Sequence, residues 1–275
     1  MSHEGRSSIQ YEEMFPWEIE QAIAAFPLCY IPLGVLEWHG EHAAVGLDGI
    51  KAHAVCVAAA RQSGGVVIPT TWWGTDWRED LDNGGYLTGG IEHGERYHVP
   101  GSMFWIRPET QLNLMLDIYE AVRRRGFKAA AVLAGHWSSR EYLPTLQRSG
   151  ELFLRDNPSF GLALLTDREL AGEHFYPHEH AAGGETSLLM ALRPDLVKLD
   201  LTFETDMSLR RWYLNAPAHI ERRRTTAHRY IGVLTGVDDD SNDPESTASI
   251  ARGEQLLAAI SSELARRAAA MVDGA

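Results

Sequence analysis

Four short apolar runs constrain this chain more than any other feature: Leu28 to Val35, Val66 to Pro69, Ala129 to Leu133 and Leu162 to Leu165. Each is apolar on both parities, the pattern of a strand covered on both faces. Such strands belong to parallel sheets, whose crossovers place helices above and below. Helical patterns fill the intervals. Gly49 to Gln62 follow the first run. Pro108 to Arg125 precede the third, opening on a proline and closing at Gly126, the usual asymmetry of helix ends. Ser139 to Arg155 precede the fourth, and Glu185 to Leu192 and Thr247 to Met271 finish the series. This alternation predicts an α/β fold: a parallel sheet in a three-layer αβα arrangement, as one domain over residues 1–275.

Bulk composition narrows the function. The chain has 38 acidic against 25 basic residues and a formal net charge of -13. An acidic surface repels phosphate backbones, so a nucleic-acid partner is not expected. Its two cysteines, Cys29 and Cys56, lie in apolar surroundings and read as small buried hydrophobes, neither a disulfide framework nor a thiolate zinc site. Met1 to Tyr11 lack the apolar core of a signal peptide, and no run approaches the ~20 apolar residues of a membrane helix. A cytoplasmic protein acting on a small molecule is the expectation.

The stretch from Thr71 to Met103 has little periodicity but holds Trp72, Trp73, Trp77, Tyr86 and Tyr97 among several glycines. So many aromatics argue against disorder. Long loops in compact domains are usually functional, and this one reads either as a cover over a pocket or as a subunit contact.

The chemistry gathers where strands end. The first run leads into Glu37-Trp38-His39-Gly40-Glu41-His42. In parallel α/β sheets, ligands bind outside the carboxyl ends of the strands. Glu37 and His39 are two apart, so in extended chain they project to one side and can face a common cation. Asp48 follows, placed either to start the next helix as a cap or to bridge two metals through its two oxygens. The third run leads into Ala134-Gly135-His136-Trp137, which brings a second imidazole to a neighbouring strand end. A further group, His178-Glu179-His180 to Glu185, ends at an apolar helix. Glu185 there is either a partner for the helix dipole or a carboxylate aimed into the site.

These motifs, in this order, resemble the creatininase family. Glu37-x-His39-Gly40-x-His42 followed by Asp48 is similar to the family's first metal motif at the same spacing. Pro100-Gly101-Ser102 looks like its Pro-Gly-Thr turn. Gly126-Phe127 through Gly135-His136 looks like its Gly-Phe…Asn-Gly-His strand, and His180-Ala181-x-Gly183-x-Glu185-Thr186-Ser187 like its His-Ala-Gly…Glu-Thr-Ser motif. The resemblance implies a creatininase-like fold and a homo-oligomer, often a hexamer. It also implies two divalent ions, zinc or manganese, with iron in some branches, sharing a hydroxide that attacks an amide carbonyl. Glu37 and His136 would bind one ion, His39 the other, and Asp48 both. His180 would carry the proton, with His42 as a hydrogen-bonding partner behind the ligands.

One departure matters. In one branch of the family Gly-His-Tyr-Glu-Asn supplies a carboxylate to the second metal, which other branches lack, and here Gly135-His136-Trp137-Ser138-Ser139 puts a serine there. Glu185 is the candidate replacement. The family's Trp ahead of its His-Ala-Gly motif is replaced by Tyr176. Trp137, Ser138 and Tyr176 are thus the expected substrate pocket, and creatinine is not the expected substrate. The reading is a metal-dependent amidohydrolase cleaving a C–N bond of a small cyclic amide or formamide. The alternatives are a same-family hydrolase of an oxidised cyclitol, or a homologue that binds a small ligand without turnover.

Overall fold

The computed structural model describes residues 8–40, 42–75, 77–80, 86–89, 103–137, 141–174, 180–201 and 244–273. In chain order its strands are β1 (Leu28–Leu33), β2 (Val66–Val67), β3 (Trp77–Asp80), β4 (Tyr86–Gly89), β5 (Ala129–Ala134) and β6 (Gly161–Thr166). Its helices are α1 (Pro16–Ala25), α2 (Leu47–Ser63), α3 (Pro108–Arg125), α4 (Tyr142–Asp156), α5 (Asp167–Ala171), α6 (Gly183–Leu192), α7 (Pro244–Thr247) and α8 (Ile250–Asp273).

The four apolar runs form one parallel sheet in the order β2-β1-β5-β6. Strand parity sorts the core into two layers. Leu28 and Tyr30 of β1, with Ala129, Ala131 and Leu133 of β5, meet Val55 and Cys56 of α2, Leu188 of α6 and Ile260 and Leu264 of α8. The alternate residues, Cys29, Ile31 and Leu33 with Ala130 and Val132, meet Met115 and Tyr119 of α3 and Leu146 and Phe153 of α4. Helices therefore cover both faces, as the two-parity apolar runs require.

Pro32 is unusual in a central strand, since it cannot donate to the ladder. Its carbonyl accepts from the Thr71 amide (3.2 Å), so its missing donor faces the β2 side. There β2 stops at Val67 and pairing with β1 resumes only at Leu33↔Thr71. The proline thus faces a gap in the ladder.

Register does the most for function. β1 and β5 run in step from Leu28↔Ala129 to Leu33↔Ala134, and β6 continues that level at Ala134↔Thr166. The residues that follow all three strands meet at one edge of the sheet.

Leu133 is fully buried in β5. Leu133→Ala removes that volume from a core with little room to collapse, and should cost about 2–5 kcal/mol in urea unfolding.

The expected helix Gly49 to Gln62 starts earlier, at Leu47, so Asp48 lies within its first turn and does not cap it. Helix α4 starts later than expected, at Tyr142. Helices α1 and α5 were not anticipated, although Pro16 at the start of α1 and the Glu18 carboxylate accepting the Phe15 amide (2.7 Å) mark an ordinary helix start. The aromatic stretch contains an antiparallel pair, β3 with β4, where only a loop was expected. Its expected role as cover or subunit contact falls largely outside the described residues. So do the Pro100-Gly101-Ser102 turn, Ser138, Tyr176 and His178. Among the described residues no helix is long and apolar enough to cross a membrane.

Candidate metal centre

Beyond β1 the chain turns through Gly34 and carries Glu37 and His39 over the sheet edge. α2 then returns directly beneath them. This approach needs glycine: a Cβ on Gly34 would run into the Gly49 backbone, and one on Gly135 into the Asp48 carbonyl oxygen. The first turn of α2 thus rests on the ends of β1 and β5, which places the Asp48 side chain between Glu37, His39 and His136.

The geometry is tight. The Glu37 Oε2 atom lies 2.9 Å from His136 Nδ1, and Asp48 Oδ2 lies 3.6 Å from that same nitrogen. His39 Nε2 lies 3.5 Å from the other oxygen, Asp48 Oδ1. His180 Nδ1 stands 3.9 Å from Glu37 Oε2, with its ring stacked on His39 at 4.9 Å between centroids. Donor atoms within 4.8 Å of one another form three groups among the described residues: Glu37, Asp48 and His136; His39, Asp48 and Glu185; and Glu37, His39 and His180. Asp48 belongs to two of them.

Hydrogen bonds fix the imidazole tautomers. His39 Nδ1 donates to the Glu37 carbonyl (2.9 Å), which turns Nε2 toward Asp48. His180 Nε2 donates to the Trp38 carbonyl (3.0 Å), which leaves Nδ1 facing Glu37. Glu37 Oε2, His39 Nε2 and Asp48 Oδ2 are buried and make no hydrogen bond among the described residues. Buried carboxylate oxygens and an imidazole nitrogen converging in this way suit a cation. Carboxylate with imidazole is a donor set for zinc or manganese. The residues therefore fit a divalent ion, best at Glu37, Asp48 and His136.

Rings and exposure shape the approach. Tyr142 and Trp105 present edges to His136 at 5.0 and 6.0 Å. His180 is the most open of the group, its side chain 16% exposed against 9% for His136 and 2% for Glu37. A substrate would enter past His180.

Electrostatics follow from the crowding. Burial opposes charge on His39, but Asp48 beside it, with Glu37 and Glu185, raises it to about 9. Burial would lift Asp48, yet His39 and Lys51 hold it well below the ordinary carboxylate range. Burial lowers His180, partly offset by Glu37.

His42 does not join a donor group among the described residues. Its Nε2 meets Thr186 Oγ1 at 3.1 Å, behind the turn into α6. Burial and the positive charge of His39 lower it from 6.5 to about 4. An unfolded His42 takes up its proton near pH 6.5 and the native one only near pH 4. Stability present at neutral pH is therefore lost as pH falls through that window, by on the order of 3 kcal/mol. His42→Gln should flatten the urea midpoint of chelator-treated protein between those pH values; an unchanged slope would assign the loss elsewhere.

Glu185 sits with His39 and Asp48, as expected, but its oxygens are engaged. One contacts the Lys51 ammonium, and the other accepts the Ala181 amide at 2.8 Å. Trp137 lies under the Arg168 guanidinium, 4.8 Å from the ring centroid.

Two residues were missed. Lys51 is fully buried, three residues after Asp48, and Asp167 follows β6 directly, 2.9 Å from the lysine. The strand-end rule that found His136 applies equally to Asp167. Lysine in an alanine-rich helix carries no such signal.

The creatininase family model, described as creatinine amidohydrolase, matches residues 12–268. A creatinine amidohydrolase of Pseudomonas putida is 26% identical over 203 residues, 67% of this chain and 72% of that protein. A crystal structure of a creatinine amidohydrolase (creatininase) superposes with a TM-score of 0.68 at 23% identity, covering 95% of this chain and 97% of that one. A manganese creatininase and a zinc–zinc form of a creatininase variant, both 23% identical, give 0.67 over 94% of this chain and 0.66 over 95%, and each is covered to 97%. The structural likeness confirms the three-layer α/β fold, and the family match spans nearly the whole sequence: the chain belongs to the creatininase family of hydrolases.

Proposed function

We propose that the chain is a metal-dependent amidohydrolase that cleaves the C–N bond of a small cyclic amide or formamide. The observation that carries this reading is the convergence of Glu37 Oε2, Asp48 Oδ2 and His136 Nδ1 at one buried point, with the His180 lone pair beside it.

A divalent ion held by Glu37, Asp48 and His136 would polarise a carbonyl oxygen and make water acidic enough to deprotonate near neutral pH. The protein's own groups do the rest. Glu37 and Asp48 supply negative charge in a buried setting, where it is poorly screened. His180 Nδ1 takes the proton of the attacking water and returns it to the departing nitrogen, which must be protonated to leave. The Trp38 carbonyl, accepting from His180 Nε2, holds the ring in the tautomer that can do so. Water adds its oxygen to the carbonyl carbon, the C–N bond breaks, and the products are a carboxylic acid and an amine.

Creatinine is not the proposed substrate, because Ser138 and Tyr176 depart from the sequence pattern that the resemblance gives for it. A panel of lactams and formamides, assayed with manganese or zinc, tests the class. Turnover on none of them would remove the reading. His180→Asn should lower kcat by about 10²–10⁴-fold with metal content unchanged, the usual contribution of a positioned acid–base group. Full activity in that variant would exclude His180 as the proton carrier.

A further inference from the structure

Lys51 has no part in the chemistry above, yet its ammonium is at the heart of the site. It is fully buried and lies 3.4 Å from Asp48 Oδ1 and 2.9 Å from Asp167 Oδ2, and it also contacts Glu185 Oε1. It reaches in from α2, Asp167 from the end of β6, and Glu185 from the first turn of α6. Three elements thus converge on one cation that the chain itself provides.

Its position is specific. The two oxygens of Asp48 face different groups. Oδ2 turns to the Glu37–His136 side, whereas Oδ1 turns to Lys51 and His39. The second donor group, His39, Asp48 and Glu185, is where a second metal would bind. Both carboxylates of that group already touch the ammonium. The other Glu185 oxygen is held by the amide of Ala181, a residue kept in the left-handed region (φ 52) at the turn into α6. A metal ion coordinates oxygen at about 2 Å. An ion on Asp48 Oδ1 and Glu185 Oε1 would therefore lie against the ammonium, two like charges in contact inside the core. The sequence also carries Ser138 where one branch of the family has the carboxylate expected to bind a second ion.

We infer that Lys51 is a built-in replacement for the second cation. The chain binds one divalent ion, on Glu37, Asp48 and His136, and Asp48 bridges that ion to an ammonium where the family pattern has a second metal. This rests on the proposed metal site at those three residues. Lys51 is a positioning residue: it fixes Asp48 and Glu185 and supplies positive charge without an open coordination position.

The test is a metal count. Full-length wild-type protein is dialysed against excess Mn²⁺ or, separately, Zn²⁺, then desalted and measured by elemental analysis. Lys51→Met, which keeps the buried stem and removes the charge, is treated identically. One ion per chain in wild type and two in Lys51→Met are expected. The Mn²⁺ electron paramagnetic resonance spectrum should change from that of an isolated ion to that of a spin-coupled pair. Two ions in wild type would overturn the inference and leave the metal-hydrolase reading standing. One ion in both proteins would also overturn it, because the lysine would not then be what excludes the second. No ion in wild type would defeat the metal reading itself. Should Lys51→Met prove insoluble, Lys51→Gln is counted in its place, with two ions again expected and one ion overturning the inference.

Discussion

Asp48→Asn should lower C–N hydrolysis by roughly three orders of magnitude or more, and metal affinity by at least about 100-fold. Asp48 is common to two of the three donor groups, and its Oδ2 faces His136 beside Glu37 Oε2. Asparagine keeps the volume but removes the charge, and one of its two terminal atoms becomes a donor that cannot bind a cation. A Lewis-acid centre supplies several kcal/mol of transition-state stabilisation, and each ~1.4 kcal/mol is tenfold in rate. The fold should persist, because Lys51 keeps Asp167 and Glu185 as partners. Circular dichroism would verify that, with metal titration and kcat measured on the same preparation. A supporting residue behaves differently: His42→Gln should cost metal affinity only about 10–100-fold. If Asp48→Asn falls in that milder range, Asp48 is not a ligand.

Gly135→Ala should destabilise the protein by about 1–3 kcal/mol and weaken metal binding together. The added Cβ would run into the Asp48 carbonyl oxygen and stand 3.2 Å from Ala52 Cβ. Backbone cannot swing aside as a long side chain can, so the first turn of α2 must move, and Asp48 moves with it. Gly150→Ala is the control. Its Cβ would find only Leu162 Cδ2, at 3.5 Å, an ordinary contact on a helix far from the strand ends. That change should be neutral or stabilising, by up to about 1 kcal/mol, because alanine suits a helix better than glycine. Denaturant midpoints with metal titrations separate the cases: a Gly135→Ala protein that loses stability but keeps its metal affinity would show that the strand ends tolerate the shift.

Much of this site was readable before any coordinates. Glu37 and His136 stand just past strands whose two-parity apolar pattern marks them as central and parallel, and in such sheets the carboxyl ends are where ligands bind. Asp48 was found as well, though its place inside a helix was not, because the helix start depends on how closely α2 approaches Gly34 and Gly135. That approach is tertiary, and it is also what made Lys51 unreadable. In an alanine-rich helix a lysine reads as a solvated residue. Only the stacking of α2 between the strand ends and α6 turns that position inward, onto Asp167 and Glu185. Asp167 was within reach of the strand-end rule and was passed over because its strand's apolar run, Leu162 to Leu165, stops two residues short of it. Glu185 lies near His39 and Asp48, and its engagement by a fully buried ammonium was not foreseeable from spacing.

The central claim is that hydrolysis depends on an ion at Glu37, Asp48 and His136. Turnover of the best substrate in the lactam and formamide panel, followed while a chelator strips the protein and Mn²⁺ or Zn²⁺ is returned, tests it most directly. Activity that falls in step with metal content and recovers with it is the expected result. Undiminished turnover by protein that elemental analysis shows to be metal-free would contradict the claim.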